Sequence, residues 1–417
     1  MNDLDSLTLL DPAIQECPFA AYQTLLRDAP VFFDRTGGFW VITRYEDIRR
    51  ILTDPTRFSS GATVELARAA VDPARAASVR RIYETEGWIP TATLSLLDNP
   101  RHKEIRTIFQ HALRAGKIRE LEPRVVATAD ELVEAFLADG RCDVVRQLCV
   151  PLPLLTICSQ VGVPIDDVWR IKRWTDAWMR RFSMMQSAEE EEQSVRLEIE
   201  FQHYFVEIVR DLRRSPNDSL LGDLVDLRLS DGSRLGDAEL VSHLLSDIFV
   251  GGSETSTNAM SEGFLLLCQN PAQYARLEAD LEGRLAEFID EVLRLQSPVQ
   301  GLYRVTTEEV ELHGVTIPAR SLLHLRFGAA NRDERHFRCP DAMDIERKNG
   351  GSHLAFGSGI HHCIGAPLAR LEMQCGFRAL LRRCRNIRLA VDASDLRHAP
   401  GLMLRALKAL PIEFDRR

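Results

Sequence analysis

Apolar and polar positions along this 417-residue chain repeat with two periods. Over Pro18–Asp28 and again over Arg44–Leu52 the apolar residues return every three to four positions, which puts them on one side of a helix. Between these stretches, Val31-Phe-Phe and Phe39-Trp-Val-Ile flank Thr36-Gly-Gly and predict two strands around a turn. From Asp54-Pro55 to about Leu97 the pattern is irregular, interrupted at Gly61, Pro73, Gly87 and Pro90; a loop of that length in a compact domain is usually functional. Asn99-Pro100 then predicts a helix start, a cap residue followed by proline at the first helical position.

Helical spacing continues over Arg119–Ala138, Val144–Val161, Pro164–Met184 and Ala188–Arg214, followed by a small hairpin over Leu227–Leu235. The longest helical pattern covers Asp237–Gln269, roughly 33 residues and about 50 Å of helix, and Asn270-Pro271 ends it. Two more helices, Pro271–Leu281 and Arg284–Gln296, precede an alternating stretch at Val310–Ile317, with strand-like pieces near Ile387–Val391 and Leu402–Leu404. The fold class that results is mainly α with a smaller β portion. With no internal repeat or low-complexity linker, one domain over 1–417 is expected. Its β-rich part lies at about 30–60, 299–325 and 387–415, and its helical part at about 99–296 and 363–385.

Composition narrows the class. A hydrophobic fraction of 45% with 27% charged residues suits a globular protein with a sizeable core, and a net charge of −9 argues against general nucleic-acid binding. No run reaches the roughly 18 apolar residues that cross a bilayer. The opening Met1-Asn-Asp-Leu-Asp carries no basic segment leading into an apolar core, so no membrane anchor or secretory signal is expected. Nine scattered cysteines without a Cys-x-x-Cys pair argue against a disulfide framework, and a cytoplasmic, reduced setting follows.

Four stretches carry candidate chemistry. Phe356-Gly-Ser-Gly-Ile-His-His-Cys-Ile-Gly365 is a glycine-spaced loop with Cys363 just ahead of a helical pattern, where unpaired N–H groups favour the metal-binding thiolate. Alone it allows two readings, a haem iron held by one cysteine or a zinc held by Cys363 with nearby histidines. Val250-Gly-Gly-Ser-Glu-Thr-Ser256 interrupts the long central pattern. Paired glycines inside a helix cost about 1 kcal/mol each, and a Thr255 hydroxyl four residues after Gly251 can bond its carbonyl and distort the ladder. That spacing fits close helix packing, or a local widening with Glu254 and Thr255 beside it as proton donors. Glu291-Val-Leu-Arg294 and His102-Lys-Glu-Ile-Arg106 each place polar groups on one helical face, ordinarily a solvated surface.

Together, in order and spacing, these features resemble the cytochrome P-450 family of haem-thiolate monooxygenases over essentially the whole chain. Phe356–Gly365 matches the family's Phe-x-x-Gly-x-x-x-Cys-x-Gly loop, Glu291-x-x-Arg294 its Glu-x-x-Arg, and Gly251–Thr255 its central-helix motif. The resemblance implies the cytochrome P-450 fold, a single triangular domain around a heme b between the central helix and the helix after the cysteine. It implies Cys363 as axial thiolate in a loop with Phe356, Gly357 and Gly365, and His102, Arg106, Arg304 and His361 as propionate partners. It further implies Thr255 and Glu254 as the proton relay, and Glu291 with Arg294 as a structural pair. One departure stands out: Ala342 occupies the place where the family usually has an arginine, a third partner for Glu-x-x-Arg, and Arg335 or Arg338 are the candidate replacements.

The resemblance also implies a monomeric, O2-dependent enzyme. Electrons would come from NAD(P)H through a ferredoxin reductase and a 2Fe-2S ferredoxin, since the chain carries no flavin or iron–sulfur motif. Arg101, Lys103, Arg114, Lys117 and Arg119 would form a docking face or simply a solvated helix face. Trp88, Ile89, Leu94, Met179, Phe182, Met185, Phe249, Gly252, Val299, Leu302 and Met403 would line the substrate pocket. Their apolar character suggests a compact terpenoid, steroid or aromatic substrate, free or carrier-bound. Arg80 and Arg81 read as exposed loop arginines rather than a carboxylate anchor. The alternatives are a peroxide-driven peroxygenase of the same fold, which the Glu254-Thr255 pair disfavours, and a haem-binding protein without turnover.

Overall fold

The computed structural model describes residues 4, 6–61, 63, 66, 72–183 and 185–417. Its contacts divide the chain into two compact units. The first comprises 1–58, 121–153 and 255–417; the second comprises 59–120 and 154–254.

The first unit holds the described sheets. Val31–Asp34 and Phe39–Ile42 pair antiparallel as the Thr36-Gly-Gly turn predicts, Phe39–Ile42 then runs parallel to Leu322–Leu325, and Leu302–Thr306 continues antiparallel. Ile42, Leu323 and Leu325 face Tyr45, Ile48 and Ile51 of the helix Tyr45–Leu52, whose apolar stripe closes a core with Phe337 and Leu354. Pro411–Arg416 pairs with Arg141–Asp143 on one side and Cys384–Leu389 on the other. A larger core joins the helices Leu281–Gln296 and Ala366–Arg383 to residues 259–267. Two glycines allow close helix contact in this core. A Cβ on Gly263 would lie 2.4 Å from the Phe377 ring, and one on Gly376 would lie 2.8 Å from Met260 Sδ.

The second unit is helical. Val168–Phe182 and Ala188–Arg214 pack together through Trp174, Phe201 and Phe205, and Phe249 completes the aromatic cluster with ring centroids 4.3–5.7 Å apart. Ala188–Arg214 begins with a full capping box between Ser187 and Glu190, a sharp sequence signal at the predicted boundary.

Several sequence expectations need correction. The irregular stretch contains a 14-residue helix, Pro73–Glu86. Pro73 starts it rather than breaking it: proline suits the first turn, and Asp72 caps the Ala74 N–H. Arg80 and Arg81 are therefore helical and exposed, with Arg80 paired to Glu84 at 2.7 Å. Leu220–Asp226, capped by Ser219, is an unforeseen helix. Pro100 occupies the cap position, so the helix starts at Arg101. The Val144–Val161 pattern opens with a π-turn at Val145–Cys149. Leu402–Leu404 is a turn with one bridge, Val299 to Leu404. The predicted end at Met184 lies outside the described residues.

Candidate functional site

The cysteine loop is built in the first unit from backbone up. The Cys363 N–H donates to the Phe356 carbonyl at 2.9 Å, closing the loop, and the Gly357 N–H donates to Leu354 at 2.8 Å. Gly357 and Gly359 both adopt φ +68°, the left-handed region that glycine enters without strain. Gly359 also admits another chain segment: a Cβ there would lie 2.2 Å from the Leu52 carbonyl. Asn331 anchors the loop's entry, accepting from the Leu354 N–H at 2.7 Å while donating to Ser297 Oγ at 2.8 Å. Phe356 lies beneath the Arg370 guanidinium, 4.6 Å from its centroid, and Arg370 pairs with Asp290 at 2.9 Å.

This framework presents the Cys363 thiol exposed, three residues before the helix Ala366–Arg383. In contrast, Cys142, Cys149, Cys158, Cys375 and Cys384 are buried, and burial raises their thiols to inert values. Among the described residues no group of three or more His, Cys, Asp or Glu is placed to hold a metal ion, so the zinc reading lacks ligands. An exposed cysteine sulfur three residues before a helix can serve a group that takes one protein ligand, as a haem iron does. Arg304 is buried in the strand Leu302–Thr306, its guanidinium donating to the Tyr303 carbonyl at 2.7 Å, and His361 is half-buried in the loop.

Glu291 and Arg294 form the predicted pair, bidentate at 2.7 and 2.8 Å, with both side chains at most 1% exposed. Arg294 also donates to the Asn331 and Pro340 carbonyls at 2.8 and 2.7 Å. The third partner is neither Arg335, which turns to Asp333, nor Arg338, which contributes only its carbonyl. It is Arg347. Its Nε lies 3.2 Å from both Glu291 oxygens, and its other nitrogens hold the carbonyls of Arg338, Cys339 and Ala342. Ala342 thus joins the network through its backbone, five residues before the arginine. Sequence spacing could not locate this partner because the intervening segment is irregular.

The long central pattern continues as Asp237–His243, a π-turn over Leu244–Val250 and the helix Gly251–Gln269. The widening lies one turn ahead of the expected Gly251–Thr255 site. A Cβ on Gly252 would lie 3.4 Å from Ile157, an ordinary van der Waals distance. The unit boundary falls between Glu254 and Thr255. Glu254 is 9% exposed, accepting from Thr175 Oγ1 at 3.1 Å and pairing with Lys172 at 3.2 Å. Burial raises its carboxyl above the ordinary range, with Lys172 opposing and Asp176 adding to the shift. Sequence reading missed Glu372, on the helix after Cys363. It is fully buried, and burial pushes its carboxyl up to about 8, an effect that nearby Ser256 only partly offsets.

In the second unit, His102 is buried and Arg106 half-buried on Arg101–Ala112. The predicted basic cluster there is partly neutralised, with Arg101 paired to Glu239 at 2.5 Å and Lys117 to Asp223 at 3.4 Å. Trp88, Met179, Phe182 and Met185 are half-buried and Ile89 is 46% exposed; Leu94 is buried, its N–H bound by Asp247 at 3.0 Å. Phe249 is fully buried in the aromatic cluster. In the first unit Val299 and Leu302 are half-buried and Met403 is buried.

The cytochrome P450 family model matches residues 169–409. The chain is 35% identical over 410 residues to cytochrome P450 monooxygenase PikC of Streptomyces venezuelae, covering 96% of this chain and 91% of PikC. The chain belongs to the cytochrome P450 family. This P450 is also 31% identical to the 6-deoxyerythronolide B hydroxylase of Saccharopolyspora erythraea, over 95% of this chain and 96% of that enzyme. Among solved structures it resembles cytochrome P450 CREJ in complex with (4-ethylphenyl) dihydrogen phosphate, with a TM-score of 0.91, 29% identity and coverage of 99% and 100%. It has the P450 fold and is a haem monooxygenase, its cofactor a haem whose iron takes a cysteine thiolate. No helix among the described residues is long and apolar enough to cross a membrane.

Proposed function

We propose that Cys363 is the thiolate ligand of heme b and that the whole chain, 1–417, works as one haem domain. The observation that carries this assignment is the exposed Cys363 thiol at the end of a loop pinned by Phe356, Asn331 and two left-handed glycines. His102, Arg106, Arg304 and His361 are assigned to the two propionates, for which each supplies a cation or an N–H donor. Phe356, Gly357 and Gly365 shape the loop, and Glu291, Arg294 and Arg347 hold its approach. When bound, the haem supplies the activation of O2.

Glu254 and Thr255 manage protons. Burial raises the Glu254 carboxyl above its ordinary value and so favours its proton-carrying form, while Lys172 opposes the shift, and Thr255 follows it on the same helix. The substrate is a hydrophobic small molecule that receives one oxygen atom. The apolar candidates from Trp88 to Met403 support this, as do relatives named as hydroxylases of 6-deoxyerythronolide B and of vitamin D(3). Electrons arrive from NAD(P)H through a ferredoxin reductase and a 2Fe-2S ferredoxin. Lys103, Arg114 and Arg119, which have no carboxylate partner among the described residues, are the steering charges left in the basic cluster. Cytoplasmic location agrees with the scattered reduced cysteines.

Reconstitution of the holoprotein with ferredoxin, reductase and NAD(P)H tests the relay. Thr255→Ala should keep consuming NAD(P)H while product falls and hydrogen peroxide accumulates. Unchanged coupling would remove Thr255 from proton delivery.

A further inference from the structure

A second group of buried charges, which the proposed chemistry does not use, lies in the first unit. Glu262 on the helix Gly251–Gln269 is 1% exposed, and its Oε1 receives two donors: Arg405 Nη1 at 2.6 Å and His398 Nε2 at 2.7 Å. The other ring nitrogen of His398, Nδ1, faces Glu16 Oε1 at 2.7 Å, and the His398 backbone N–H reaches both Glu16 oxygens at 3.1 Å. Arg405 also donates to Gln296 Oε1 at 3.2 Å and to the Glu16 carbonyl at 3.5 Å, and its Nη2 lies 3.4 Å from His398 Nδ1. These are the charged groups that face His398: Glu16, Glu262 and Arg405. The ring thus bridges the two carboxylates, one ring nitrogen to each. Burial alone would raise both carboxyls; Arg405 and His398 outweigh it and hold Glu262 and Glu16 below their ordinary values.

Such a group is a poor way to gain stability. Desolvating several charges costs about as much as their mutual attraction returns, and apolar packing often does better. What the group controls is geometry. His398 and Arg405 stand at the two feet of a turn whose regular pairing is limited to His398↔Leu407 and Ala399↔Ala406. Both feet meet on one oxygen of Glu262. The top of the turn is held by its backbone, with the Leu402 carbonyl bound by Arg326 at 2.5 Å and the Met403 carbonyl by the Gln300 N–H at 2.7 Å. Leu404 bridges Val299. Glu262 lies seven residues after Thr255, two helical turns along the same face and about 10 Å away along the axis. One helix therefore carries Thr255, assigned above to proton handling, and the carboxylate that holds the turn bearing Met403, whose Sδ lies 3.3 Å from His324 Nε2.

We propose that the Glu262–His398–Arg405–Glu16 cluster is a positioning device that fixes the 398–407 turn, and with it Met403 and Val299, as part of the wall that selects the substrate. This rests on the proposed pocket containing Val299 and Met403. Loss of the Glu262 charge then weakens the acceptor that Arg405 and His398 share, and the turn loosens while the cysteine loop stays as it is.

The test uses the holoprotein, wild type and Glu262→Gln, titrated with two iron-binding azoles. Imidazole needs little beyond the iron, whereas clotrimazole carries a bulky apolar body that must fit the pocket wall. The expected result is a clotrimazole Kd raised roughly tenfold or more with the imidazole Kd unchanged. Hydrogen exchange should also be faster in the peptide covering 398–407 and unchanged in 356–365. Two results would overturn the proposal: both azoles unaffected with unchanged exchange at 398–407, or both weakened equally with exchange raised throughout. If Glu262→Gln fails to fold, Glu16→Gln is measured in the same way, since the Glu16 side chain is 39% exposed and outside the deepest part of the cluster. The carbon monoxide spectrum of the wild type reports separately on the haem-thiolate reading, so its failure and that of the positioning device are distinguishable.

Discussion

Glu372 is a carboxyl that folding keeps protonated. Its folded-state value of about 8 lies above the ordinary 4.5, so over that window the folded chain holds a proton that the unfolded chain releases. Stability therefore falls as pH rises from 4.5 to 8. In Glu372→Gln the pH slope of Tm across this window should flatten by several degrees; an unchanged slope would mean the acid is not buried as described. Arg347 makes a second residue-scale case. It is one of two guanidiniums on a Glu291 carboxylate that is 1% exposed, and removing a partner from a buried pair costs about 3 kcal/mol. Arg347→Ala should lower Tm by several degrees and reduce haem retention, with Arg347→Lys intermediate because it keeps charge without the fork. Both Tm shifts can be read by calorimetry. Equal stability of Arg347→Ala and wild type would return the third-partner role to some other group.

At the scale of elements, the loop and its supports account for most of what was legible. Phe356–Gly365 announces itself because its glycines have backbone tasks: φ +68° at Gly357 and Gly359, and contact with the Leu52 carbonyl. Gly359→Ala should cost several kcal/mol by combining left-handed strain with a 2.2 Å clash, and haem content after purification should drop sharply. Full haem loading in that variant would contradict the fit. The helix Ala188–Arg214 was readable to the residue from its helical spacing, and the Ser187–Glu190 capping box fixes its start. Pro73–Glu86 was not, because a proline and few apolar residues look like irregular chain. Its buried face is only Val79, Ile82 and Tyr83, packed on Val195 and Ile199, so tertiary contact rather than local pattern stabilises it. With so little local drive the Asp72 cap carries weight. Asp72→Ala should cost about 1 kcal/mol and raise hydrogen exchange within Pro73–Glu86, whereas uniform protection would assign no role to the cap. The Glu291 partner, the Glu262 cluster and the acid at 372 were invisible in the sequence because each depends on residues brought together from distant segments.

At the scale of the whole molecule, family membership follows from full-length similarity to bacterial P450 monooxygenases, and the chemistry rests on a single thiolate. Net charge, hydrophobic fraction and cysteine scatter bounded the class, but only the order of the central-helix motif, Glu-x-x-Arg and the cysteine loop selected it. Substrate identity depends on side chains spread over many segments with no fixed spacing, which is why the sequence points to an apolar pocket and no further. The most direct measurement is the absorption spectrum of the reduced, carbon-monoxide-bound protein, taken for wild type and for Cys363→Ala. The wild type should show the red-shifted Soret band that a thiolate ligand produces, and Cys363→Ala should lose it. An unshifted band in the wild type, or a shifted band that survives Cys363→Ala, would contradict haem-thiolate ligation by Cys363.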